Sequence, residues 1–150
     1  MKRFHFRLEA LLNFRKMKQE EAQLRFMEAC NELQRERDLL AGLEQEEQDQ
    51  LVEFQNFQRR KGLTVDSLLL FSNYFDRLKE QITEAANRVA TAEDKRQAAM
   101  KQLEEAVKSH KVVENLRKKR LAEYRLELLQ EEQKELDEMG TQIFLRGSEG

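Results

Sequence analysis

Two histidines, one cysteine and a surplus of carboxylates are nearly all that this chain of 150 residues offers for acid–base, nucleophilic or metal chemistry. His5 and His110 are more than a hundred residues apart, and no cysteine stands beside either, which is not the spacing of a zinc site. His110 falls on an apolar seam, where a half-buried histidine facing Leu12 or Leu8 is a simpler reading than a ligand. Cys30 lies next to Ala29 at the edge of the seam and reads as a small apolar filler; alone, it cannot form an internal disulfide. No glycine-rich phosphate loop occurs, and the many glutamates read as solvated helix faces. No cofactor and no metal are expected, and the chain reads as a non-enzymatic protein whose surface does the work.

Charge and aromatic residues are the remaining candidates. Lys2, Arg3, Arg7, Arg15, Lys16 and Lys18 oppose only Glu9 in residues 1–18, a balance of +5. Residues 108–125 reach the same balance, with Arg117, Lys118, Lys119 and Arg120 in one run. By contrast, residues 36–53 sum to -6 and residues 127–138 to -5. Such runs are either solvated faces or a basic collar that docks into something acidic. A second cluster gathers Phe54, Phe57, Phe71, Tyr74 and Phe75 on either side of Gly62; these rings either plug the end of a helix pair or are partly exposed for binding.

Long helices must position both sets. The chain has no proline, and each proline inside a helix would cost roughly 3 kcal/mol. A heptad runs through Leu8, Arg15, Ala22, Ala29, Glu36, Leu43, Gln50 and Phe57, with its companion at Leu12, Gln19, Phe26, Leu33, Leu40, Glu47 and Phe54. This predicts a first helix over about residues 5–60, roughly 80 Å long. Arg59, Arg60 and Lys61 suit a helix C-terminus, Gly62 a left-handed cap, and Thr64 or Asp66 the cap of the next helix, so the turn is set at about 61–65. The second helix is expected over about 66–139. Its seam is Leu78, Ala85, Ala92, Ala99, Ala106 and Val113 with Ile82, Val89, Arg96, Leu103 and His110; then a stutter leads to Arg117, Leu121, Tyr124 and Leu128. Alanine at every seventh position lets a partner helix approach closely, and Ala22 and Ala29 match it on the first helix. The expected fold is all-α, a single-domain antiparallel coiled-coil hairpin whose second helix is the longer, with a frayed tail at 140–150. Residues whose numbers sum to about 126 should face each other, Met1 near Arg125 among them. Pairing between two separate chains is the alternative that the same pattern allows.

The charged content of 37% and the absence of tryptophan fit a narrow seam rather than a thick core. The basic start is followed by polar periodic sequence instead of an apolar run, and the longest leucine-rich run, Leu68 to Phe71, is far short of a membrane span. A cytoplasmic protein without a direct membrane span is expected. The formal net charge of -2 and the acidic neighbours of the basic stretches argue against nucleic acid.

The opening Phe4-His5-Phe6-Arg7-Leu8-Glu9-Ala10-Leu11-Leu12 resembles the start of the flagellar export protein FliJ family, Phe-x-Phe-x-Leu-x-x-Leu-Leu. Gly62 to Val65 with Phe71, Tyr74, Phe75, Leu78 and Ile82 looks like that family's turn and second-helix start. Gln133, Lys134, Leu136, Asp137 and Glu138 are similar to its C-terminal Gln-Lys-x-hydrophobic-Asp-Glu. The resemblance implies a stalk in the export apparatus at the cytoplasmic face of the inner membrane. Its partners would be the export ATPase FliI hexamer, the gate component FlhA and export chaperones. It would place Phe4, Phe6, Leu8, Leu11, Leu12 and the Gln133–Glu138 motif at the ATPase-facing end, joined by the basic Arg117, Lys118, Lys119 and Arg120. Phe54, Tyr74 and Leu78, with Phe57 and Phe71, would lie at the gate-facing tip. Gln81 and Ala85 depart from some relatives at that tip. A virulence injectisome stalk and an unrelated structural or nucleic-acid-associated coiled coil are the alternatives.

Overall fold

The computed structural model describes residues 3–149. Met1, Lys2 and Gly150 lie outside the described residues, and with them the expected Met1–Arg125 neighbourhood, the Lys2 charge and the last residue of the expected tail. The described residues are all-α: helix α1 spans Glu9–Lys61 and helix α2 spans Val65–Glu149.

Three boundaries have clear local causes. At the first break, Arg59, Arg60 and Lys61 occupy the last turn of α1 against its partial negative charge, and Gly62 takes φ 70°, the left-handed conformation that ends a helix. Thr64 then caps α2: its Oγ1 accepts the Ser67 N–H at 3.2 Å, while Ser67 Oγ accepts the Thr64 N–H at 3.1 Å. This reciprocal box places Thr64, not Asp66, at the cap. At the N-terminus, α1 begins at Glu9 and not near residue 5, because no side chain before it can cap a helix and Phe-x-Phe favours extended backbone. At the other end, α2 continues to Glu149 where a frayed tail from residue 140 was expected. Gly140 and Gly147 each cost about 1 kcal/mol against alanine, but the intervening residues include good helix formers, and Thr141 Oγ1 bonds back to the Asp137 carbonyl at 2.9 Å.

The chain divides into two compact units. One joins the residues up to Gln19 to those from Glu105 onward; the other is Glu20–Glu104. In the second unit α1 and α2 form an antiparallel hairpin around Gly62. Its buried seam is Ala22, Ala29, Leu33, Leu78, Ala85 and Ala92, with Ala85 wholly inaccessible. These are heptad positions, and small side chains there allow close helix approach. Ala29, Ala98 and Ala99 line one shallow groove, so the alanines of α1 and α2 meet within the chain. Ion pairs flank the seam at Glu36–Arg88 (3.2 Å), Glu32–Lys95 (3.5 Å) and Glu93–Arg37 (3.5 Å). Being exposed, they fix register more than they stabilise.

The first unit pairs the start of α1 with the second half of α2, again antiparallel. Val113 is buried, and Leu12, Leu121, Tyr124 and Leu128 are half-buried along the stutter positions. Arg15 donates from Nη1 to the Ser109 carbonyl at 2.8 Å, and Arg117 Nε to Glu9 Oε2 at 3.1 Å. Residues 129–148 of α2 are exposed on all sides.

Candidate interaction surfaces

The first surface is built by the six residues before α1. Arg3 to Leu8 run without helical structure, and a turn bond from Glu9 N–H to the Phe6 carbonyl, 3.2 Å, joins them to α1. Extended backbone alternates its side chains, so Phe4 and Phe6 turn inward while Arg3, His5 and Arg7 are exposed. Phe6 is 7% exposed, the one buried side chain among the described residues before α1. The Phe4 ring packs on Tyr124 at 5.5 Å, and the Arg117 guanidinium sits 5.7 Å from the Phe4 centroid. Extended chain advances about twice as far per residue as helix, so these few residues border α2 from Leu116 to Glu131. The groove between them holds about 980 Å³.

Its walls differ in charge. Arg3 and Arg7 come from the N-terminal segment, while α2 brings Arg120 next to Glu123, Glu127 and Glu131. The expected basic collar is therefore not continuous. Arg117 is held by Glu9 and the Phe4 ring; Lys118 pairs with Glu114 at 3.2 Å and helps to hold that carboxyl below its ordinary range. Lys119 and Arg120 are exposed. Leu11 and Leu12 are half-buried in the helix pair, Leu8 is at its margin, and Gln133, Lys134, Leu136, Asp137 and Glu138 are exposed on α2, with Gln133 Nε2 bonded to Asp137 Oδ1 at 3.1 Å. His110 Nδ1 lies 3.6 Å from Glu114 Oε2, on the seam as its spacing implied. Among the described residues no group of three His, Cys, Asp or Glu side chains is placed to hold a metal ion.

The second surface surrounds the turn of the Glu20–Glu104 unit. Phe54 packs edge-on against Phe71 at 4.8 Å and Phe75 at 6.2 Å, and Phe57 lies 5.6 Å from Phe71. All four rings are half-buried, and Leu78 is only 2% exposed. These rings plug the hairpin end. Tyr74 stays at the surface and donates to Glu46 Oε1 at 2.6 Å; this bond, with that carboxylate's charge and some desolvation, raises the phenol above its ordinary range. The exposed apolar residues are aliphatic instead: Leu63, Val65, Leu68, Leu69 and Leu70. Heptad reading had no place for them, yet four consecutive apolar residues from Leu68 to Phe71 turn through about 100° each, so some must face outward. A third apolar set, Leu129, Leu136, Met139, Ile143 and Phe144, is exposed on α2 of the first unit.

No helix among the described residues is long and apolar enough to cross a membrane. A family model described as "Flagellar FliJ protein" matches residues 4–149. No curated protein and no solved structure matches the chain.

Proposed function

The chain belongs to the flagellar FliJ family, and from that premise we propose that this flagellar export-related protein is a non-enzymatic stalk and adaptor of the export apparatus. The family match over nearly the whole chain is the observation that carries the reading. In it, the unit containing the N-terminal segment engages the FliI hexamer through Lys119, Arg120 and the exposed Gln133–Glu138 stretch, and stimulates ATP hydrolysis. Phe4, Phe6, Leu11 and Leu12 hold that surface in shape rather than touch the ATPase, a role their burial supports. The turn of the other unit faces the gate component FlhA. Since the rings are packed together, the exposed Tyr74 supplies the contact surface there. Export chaperones are the third partner class, and association with the apparatus places the protein at the inner face of the membrane.

Stimulation of purified FliI ATPase by the full chain tests the reading, with Lys119→Glu/Arg120→Glu as the variant. Both residues are exposed, so the fold should hold, and stimulation should fall several-fold. Unchanged stimulation would remove this surface from the ATPase contact, and no stimulation by the unaltered chain would remove the ATPase role itself.

A further inference from the structure

The turn of the Glu20–Glu104 unit combines two features that the packing of the unit does not use. Leu63, Val65, Leu68, Leu69 and Leu70 are 43%, 76%, 47%, 54% and 71% exposed, the first within the three-residue link and the rest on the start of α2. Immediately before them stand the exposed Arg59, Arg60 and Lys61, and no acidic residue occurs from Phe57 to Val65; Asp66 is the nearest. The four packed rings beneath give this rim a fixed base. An apolar rim of this kind, exposed in water, marks an interaction site.

We infer that this turn is an interfacial anchor that seats on anionic phospholipid, its aliphatic side chains entering the headgroup boundary and Arg59, Arg60 and Lys61 meeting the lipid phosphates. Three exposed cations with no carboxylate among them, beside an apolar rim, are complementary to a layer of anionic headgroups over an apolar interior. Buried apolar area and attraction to anionic lipid are the two contributions that hold such surface anchors. Each cation near an anionic leaflet raises partitioning about fivefold, so the three together give roughly a hundredfold, reduced by salt. The inference stands on these residues alone and does not depend on the ATPase reading.

The chain contains no tryptophan, so Leu70→Trp installs a single fluorescent reporter at the tip and Leu136→Trp one on exposed α2 as a control. The full chain carrying either is titrated with vesicles of phosphatidylcholine containing about one third phosphatidylglycerol, and with phosphatidylcholine alone. The L70W emission should shift to the blue and be quenched by brominated acyl chains on the anionic vesicles only, while L136W stays unchanged. Adding Arg59→Gln, Arg60→Gln and Lys61→Gln to the reporter chain should lower partitioning about a hundredfold. Val65→Ser with Leu69→Ser should lower it further without loss of helicity by circular dichroism. No response of L70W to anionic vesicles overturns the inference, as does a response that survives the three glutamine substitutions. A response of L136W instead would assign lipid binding to the other unit. A tip reporter that responds to purified gate component and not to lipid would make the site a protein-docking surface. ATPase stimulation, measured on the L70W chain with and without the tip substitutions, should stay unchanged.

Discussion

Ala85 is 0% exposed and Ala86, its neighbour in the same helix, is exposed, which makes a paired substitution informative. Replacing either by leucine changes intrinsic helix propensity by only a few tenths of a kcal/mol, so backbone effects cancel between them. At Ala86 the added carbons enter solvent, and the change should stay within about 0.5 kcal/mol. At Ala85 they have no space to occupy. Helices in contact lie about 8–10 Å apart according to the side chains between them, and an alanine line sits at the close end of that range. Leucine must then take a strained rotamer or push α1 and α2 apart locally, which also loosens Leu78 and Ala92, 2% and 3% exposed one heptad to either side. Overpacking of this kind costs about 1–3 kcal/mol. With about 2–4 °C per kcal/mol for a chain of this length, Ala85→Leu should lower the melting temperature by roughly 4–8 °C and Ala86→Leu by about 1 °C. Thermal melts followed by circular dichroism, with urea midpoints as a check, measure both. Equal melting temperatures, or a gain at Ala85, would refute close approach of the helices at this position.

Other positions give separable tests. Gly62→Ala should cost about 1 kcal/mol in urea unfolding, from backbone strain alone, because φ is 70° and an added Cβ would meet nothing within 4 Å; Gly62→Asn should cost less. The Glu93 carboxyl is held below its ordinary 4.5, first by the hydrogen bond from Arg96, so its stabilising contribution is complete above that value and lost as pH falls through the lower folded value. Thermal stability of Glu93→Gln should therefore lose part of the acid-side slope below about pH 4.5 and keep the neutral plateau flat. Phe6→Ala should release the N-terminal segment, so that trypsin cuts after Arg7 several-fold faster while the far-ultraviolet spectrum barely changes; equal cutting rates would show that Phe6 does not hold the segment.

The helical seam was legible because heptad periodicity is a local property. Ala22, Ala29, Leu33, Leu78, Ala85, Ala92 and Val113 were all placed on it by spacing, and all are buried. Turn chemistry was equally readable, since Gly62 and Thr64 act through bonds to nearby residues. The N-terminal segment was misread as helix because its apolar residues at 4, 6, 8, 11 and 12 mix periods of two and of three to four, and the first part follows the strand period. The tip was only half legible. Spacing brings the rings to the turn, but which apolar side chains fill its interior is decided by size and packing. The large rings took the inside and left the smaller aliphatic residues on the rim.

Polar residues on and beside the seam help a chain with so little buried surface to select one register. Arg15, Arg96 and Arg117 occupy heptad or stutter positions where leucine would pack, and each is half-buried. Long cationic side chains tolerate this by laying their stems along the apolar strip and carrying the charge to its edge. Arg15 reaches the Ser109 carbonyl, Arg96 meets Glu93 at 2.6 Å and Arg117 meets Glu9 at 3.1 Å. Sliding a helix by one heptad would leave leucines and alanines on equivalent neighbours, because their pattern repeats. It would separate Arg117 from Glu9, the one carboxylate in residues 1–18, whereas Arg15 would meet another backbone carbonyl. Apolar burial thus drives the helices together without strongly choosing an alignment, and the short link at Gly62 and the interhelical pairs Glu36–Arg88, Glu32–Lys95, Arg37–Glu93 and Glu9–Arg117 make the choice.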